Sequence, residues 1–70
     1  MIPLIFSDIG DEGIIKKVGG NPDVRQHLAE LGFNVGSPVT VITAMNGNVI
    51  VKVKESRVAV DRALAEKIMI

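Results

Sequence analysis

The feature that most constrains this chain is a two-residue punctuation mark. Asn46 and Gly47 separate "SPVTVITA" (37–44) from "NVIVKVK" (48–54). An Asn-Gly pair between β-branched runs is the strongest short-range hairpin signal, because both residues accept the positive φ that a tight turn between twisted strands demands. The flanking runs alternate as half-buried strands do. Val39, Val41 and Thr43 fall on one face and Thr40 and Ile42 on the other. Val49, Val51 and Val53 are expected inward, with Ile50, Lys52 and Lys54 outward. "ESRVAV" (55–60) extends the pair to a third strand after a tight turn, with Val58 and Val60 inward.

The flanking segments supply a helix and short end strands. "NPDVRQHLAEL" (21–31) predicts a helix. Asn21 is a good N-cap, Pro22 suits the first helical position, and Asp23 faces the positive end of the macrodipole. Val24, Leu28 and Leu31 form one apolar stripe at i, i+4 and i+7. Gly32 then offers the left-handed residue that ends a helix. "DEGIIKKV" (11–18) predicts a strand, but its core candidates Ile15 and Val18 are three apart and alternation would oppose them. A bulge or bend inside the strand is expected to reconcile them. "DRALAE" (61–66) predicts about one helical turn capped by Asp61, and "KIMI" (67–70) a last short strand. The apolar start, "MIPLIF", contains Pro3, is too short for a signal peptide and lacks its basic region; it is expected to be a strand or arm packed on the core.

A small sheet with a strand at each chain end is expected to curl, because closure removes edges. The expectation is a mainly β fold: one domain over 1–70, a small barrel of about five strands, one short α-helix and one C-terminal helical turn. The chain has no cysteine, which excludes disulfides and thiolate metal sites and fits a reducing, cytoplasmic compartment. Eight basic residues balance eight acidic ones, and aromatics are only 3% with no Trp or Tyr. A nucleic-acid partner is therefore not expected, for want of a basic face and of stacking platforms. No stretch approaches the ~18 apolar residues that direct membrane insertion needs.

In its ordered set of signals the chain resembles the FeoA family and the related SH3-like domain of iron- and manganese-dependent repressors. The residues that carry the resemblance are "GDEGIIKKVGG", "VRQHLAELGFNVGSPVTVI", "VIVKV" and "SRVAVDRALAEKIMI". Its pattern falls on Gly13, Gly19, Gly20, Arg25, Leu28, Leu31, Gly32, Gly36, Val58, Ala59, Val60, Ala65 and Ile68. Two departures stand out. The turn at Gly47 is shorter than in many members, and "KES" at 54–56 replaces a frequent glycine. The resemblance implies an SH3-like barrel and an accessory or regulatory role in ferrous iron transport. The implied partner is the cytoplasmic part of FeoB, a membrane iron transporter with a GTPase domain.

The residues themselves offer few sites for chemistry. His27 is the single histidine, with Glu30 at i+3 and Asp23 one turn earlier. These three are the candidates for a weak Fe²⁺ site, in a sensor or carrier, although a transition-metal centre usually draws on three or four ligands including more His or Cys. The plainer expectation for His27 is a half-exposed boundary residue paired with Glu30. "GGNP" before the helix is an anion-site candidate that Asn21 is expected to occupy itself, and no Walker pattern accompanies it. Ser7, Ser37 and Ser56 share one histidine and form no triad pattern, so no catalysis and no cofactor are expected. Asp8, Asp11 and Glu12 are expected to form a solvated acidic loop. Arg25 and Arg57 are candidates for the polar rim of a protein interface. Phe33, in the "LGFNVG" loop, is either an exposed anchor for a partner or a cap folded onto the core. The apolar N-terminal arm also allows a homodimer by strand exchange or edge pairing.

Overall fold

The computed structural model describes residues 1–70. After a 3-10 turn at Leu4–Phe6 come β1 (Glu12–Ile14), β2 (Lys17–Val18), α1 (Pro22–Leu31), β3 (Pro38–Met45), β4 (Asn48–Val53), β5 (Ser56–Val60), α2 (Arg62–Ala65) and β6 (Ile68–Met69). β1, β3, β4 and β5 form one antiparallel sheet in that order, and β2 pairs with β6 in a second. There are six strands rather than about five, and the hydrogen-bonded ladder does not close into a ring. Backbone hydrogen bonds of Ile15 with Ser37 and Gly36, and of Lys16 with Met69, carry the chain from one sheet to the other.

The hairpin at Asn46–Gly47 forms as its chemistry demands. Both residues have positive φ, 51° and 84°, and Met45 pairs with Asn48 across a two-residue loop. Lys54, first in the second hairpin loop, also has a positive φ of 56°, at the site of the glycine missing from "KES". The register then places Val39 opposite Val53, Val41 opposite Val51 and Val49 opposite Val60. All six valines are buried in a core with Leu4, Ile15, Leu28, Phe33, Ala65 and Ile68.

Two elements differ from simple alternation. Residues 11–18 are two strands in different sheets, not one bent strand. Ile15 lies between them, fully buried, with its amide bonded to the Ser37 carbonyl at 2.9 Å, and Lys16 donates to Met69 O at 2.8 Å. The chain changes partner at the residue it must bury, so the three-residue spacing of Ile15 and Val18 needs no shared face. In β3 the register shifts between Val41 and Thr43. Ile42 is the extra residue, and beyond it Ala44 faces Val49 while Thr43 pairs with Ile50. Thr43 therefore leaves the face that alternation assigns it with Val39 and Val41.

The helix caps follow the sequence. Asn21 Oδ1 accepts from the Val24 amide at 2.9 Å, and Asp61 Oδ1 from the Leu64 amide at 2.9 Å. Gly32, at φ 108°, turns the chain so that the Phe33 amide reaches back to Leu28 O at 2.9 Å. The N-terminal arm packs as expected, though as a 3-10 turn. Leu4 is buried, and Ile2 and Ile70 exchange backbone hydrogen bonds at 2.8 Å each.

Close packing makes a specific demand at Gly13. A Cβ there would lie 2.9 Å from Ile70 Cδ1 and 3.1 Å from its Cβ. Gly13→Ala is therefore expected to cost about 1–3 kcal/mol through overpacking, whereas Gly47→Ala, whose Cβ would meet Arg62 Cβ at an ordinary contact distance of 3.6 Å, costs about 1 kcal/mol through its positive φ. Denaturant melts of the two variants check the order; a Gly13→Ala protein as stable as wild type contradicts the packing.

Candidate docking surface

The outward face of the four-stranded sheet carries a row of polar side chains across all four strands. Register puts Glu12 (β1) beside Thr40 (β3), Thr40 beside Lys52 (β4), and Lys52 beside Arg57 (β5). Thr40 Oγ1 donates to Glu12 Oε2 at 3.2 Å. Lys52 and Arg57 are like charges directly opposite one another, an arrangement that weakens a sheet. Lys54, the first residue of the loop after β4, lines the same depression as Lys52. The one ion pair in the molecule, Arg62 with Glu66 at 3.1 Å, lies elsewhere, on and just after α2. Lys52, Lys54 and Arg57 are thus exposed cations without a carboxylate within bonding reach. Glu12, Pro38, Thr40, Lys52 and Lys54 line a shallow open depression that no aromatic or branched aliphatic side chain enters. Such a depression does not enclose a small organic ligand, whose sites are largely apolar clefts.

The sequence-derived candidates divide between surface and core. Arg57 is exposed in this row, and Arg25 is exposed on α1, a separate element. Phe33 is not an exposed anchor: it is 1% exposed and belongs to the core. The cause is local. A glycine that ends a helix in the left-handed conformation aims the next residue back along the helix, where an apolar side chain meets one from the last turn, here Leu28. The signal was present in "LGF", an apolar residue directly after the helix-ending glycine.

Asp23, His27 and Glu30 are all exposed on α1. His27 and Glu30 form neither a hydrogen bond nor an ion pair, so the expected pairing is absent; each side chain is solvated alone. No three His, Cys, Asp or Glu residues converge as a metal site would require. Asn21 fills the N-terminus of α1 with its own side chain, so the anion-site candidate is occupied from within. In the acidic run, Asp11 Oδ2 accepts from the Asp8 amide at 3.0 Å, which pins the loop to itself. Glu12 has left that loop for β1. Sequence reasoning missed the Lys52–Arg57 opposition, which depends on the register set by the two-residue loop at Lys54–Glu55.

The FeoA domain model matches residues 2–70. The chain belongs to the FeoA family. A relative from Methanocaldococcus jannaschii, named "Putative Fe(2+) transport protein A", is 43% identical over 70 residues, covering all of this chain and 85% of its own length. Among solved structures, the crystal structure of an iron uptake regulatory protein, FeoA, is 31% identical with a TM-score of 0.87, over 96% of this chain and 89% of that one. The zinc-complexed FeoA of Stenotrophomonas maltophilia, described as an SH3 domain protein, superposes with a TM-score of 0.84 at 20% identity, over 99% of this chain and 88% of that one. The FeoA structures thus share an SH3-like architecture with this chain.

Two variants separate core from surface. Phe33→Ala removes a core aromatic and is expected to cost about 3–5 kcal/mol, enough to unfold much of so small a domain. Lys52→Glu replaces a like-charge pair with an opposite one and is expected to gain a few tenths of a kcal/mol, lost in high salt. Thermal melts at low and high salt test both; a folded, stable Phe33→Ala protein contradicts the burial.

Proposed function

We propose that this FeoA-family protein is a cytoplasmic accessory factor of ferrous iron transport that acts by binding, docking on the cytoplasmic domain of a FeoB-like membrane transporter and catalysing no reaction of its own. The iron-transport part is supported by the relative that bears an Fe(2+) transport name at 43% identity over the whole chain. The S. maltophilia protein is described in connection with activating ferrous iron transport, which agrees with a regulatory role.

The single observation that carries the binding part is the contrast between interior and surface. Every buried side chain of the core is apolar, so the fold holds no enclosed polar site where a reaction could be screened from water. Its unpaired charges lie outside, among them the cations on an open sheet face. A surface of that kind steers and orients a complementary protein. No helix is long and apolar enough to cross a membrane, so the contact with a transporter would be made through that transporter's soluble part.

A direct Fe²⁺ sensor or carrier, through Asp23, His27 and Glu30, is the second reading. Its support is their spacing at i, i+4 and i+7 along one exposed face of α1. Calorimetry discriminates. Titration with the transporter's purified GTPase domain is expected to give saturable binding in the micromolar range, the same for wild type and His27→Ala. Anaerobic Fe²⁺ alone is expected to give equal, weak heats with both proteins. Absence of binding to the domain at several hundred micromolar, roughly −5 kcal/mol of affinity or less, overturns the docking reading, and Fe²⁺ heats that vanish in His27→Ala establish the carrier reading instead.

A further inference from the structure

We infer that the exposed edge of β5 is the docking strand, and that its occupant is an extended acidic segment of a partner protein, added as a fifth strand with its carboxylates over Lys52, Lys54 and Arg57. This deepens the binding role proposed above and rests on it. Two independent observations meet at this edge. The first is in the backbone. β5 pairs only with β4, and Val53 opposite Ser56 closes the two-residue loop. Antiparallel ladders alternate between bonded and non-bonded pairs. Counting from that closing pair, Ser56, Val58 and Val60 bond to β4, while the N–H and C=O groups of Arg57 and Ala59 point away from it. No turn, loop or terminus bonds to those four groups. They match the repeat of an incoming strand, the arrangement used in β-strand addition.

The second observation is the charge beside that edge. Arg57 opposes Lys52, with Cβ atoms in such pairs about 4.5–5.5 Å apart, and Lys54, in the adjoining loop, lines the same depression as Lys52. Glu12, the carboxylate that shares the depression with Lys52 and Lys54, accepts from Thr40 Oγ1 and forms no ion pair with them. Glu55, in the loop, forms no ion pair with the three cations. A strand laid along β5 sets alternate side chains over this face, so an acidic residue at every second position removes the repulsion between Lys52 and Arg57. That complementarity favours an acidic occupant over a second copy of this chain. Two β5 edges paired about a two-fold axis would bring two Lys52–Arg57 pairs onto one face. β1, whose edge carries Glu12, is only three residues long and ends at Ile14 opposite Pro38.

The experiment uses the ¹⁵N-labelled full chain and a capped heptapeptide alternating valine with glutamate, next to its glutamine and lysine counterparts. The expected result is amide shifts centred on β5, hydrogen exchange at Arg57 and Ala59 slowed at least tenfold, and binding at least tenfold weaker at roughly 0.3 M salt. Glutamine and lysine peptides bind at least tenfold more weakly. The double variant Lys52→Glu, Arg57→Glu reverses the peptide preference. Ala59→Pro removes one outward N–H at a position where an edge strand tolerates proline, and binds at least tenfold more weakly; both variants are checked for native circular dichroism, and the charge reversal alone suffices if the proline variant does not fold. Equal binding of all three peptides, shifts confined to another face, or concentration-dependent oligomers that disappear with Arg57→Glu overturn the inference, the last by making the occupant a second copy. The transporter domain separates the two levels: binding that survives the double charge reversal leaves the docking role standing and removes this edge, whereas acidic-peptide binding with no binding to the domain keeps the edge and removes that partner.

Discussion

Everything in this fold depends on a small set of valines meeting across three strands. Val39, Val41, Val49, Val51, Val53 and Val60 form one apolar sheet face, and Leu28, Phe33, Ile15 and Ile68 close over it. Each fully buried aliphatic side chain contributes about 1.5–3 kcal/mol relative to exposure, and in a chain of 70 residues few are available to spare. That scarcity explains the irregularities. The chain breaks its first strand so that Ile15 can enter the core, accepts an extra residue at Ile42 so that β3 can curl, and pairs β2 with the C-terminal β6 as a two-stranded cover. Close approach replaces bulk where it can: Gly13 lies against Ile70, and Ala65 is fully buried on its single helical turn.

The parts of this structure legible in the sequence are those fixed by local chemistry. Asn46–Gly47 announces its turn because positive φ is needed within two residues. Asn21, Gly32 and Asp61 announce helix ends because orphan amides and carbonyls are satisfied within one turn. The parts that are not legible depend on contacts far along the chain. Nothing between residues 11 and 18 states that β1 will pair with β3 while β2 pairs with β6, since both partners come later. The shift at Ile42 follows from sheet curvature, which no single strand encodes.

The candidate surface was legible in the same uneven way. Arg57 stands out as a charged residue on a strand, but its meaning comes from Lys52 opposite, and that pairing exists only once the second hairpin loop is known to hold two residues. Phe33 misleads when its exposure is judged from loop membership. Its neighbour Gly32 determines its direction, and the aromatic becomes part of the helix's own ending. The resemblance to FeoA rests on residues such as Gly13, Gly32 and Ala65, which serve packing and turns. The family is therefore legible from the scaffold, while the contact surface has to be built from register.

An open sheet edge is ordinarily a hazard, since it invites pairing with any other exposed strand, including that of another copy. A cation on the edge guards against that, and Arg57 serves this purpose whatever else it does. A guard on the edge alone needs no second cation opposite it. The Lys52–Arg57 opposition strains the sheet that holds it, and Lys54 adds a third charge nearby while also occupying a loop position that favours glycine. The repulsion between Lys52 and Arg57 becomes an attraction to a shared partner when a carboxylate-bearing strand lies beside β5. The same charges that repel a second copy then select the partner, so protection against self-association and recognition of an acidic segment are one electrostatic arrangement seen in two states.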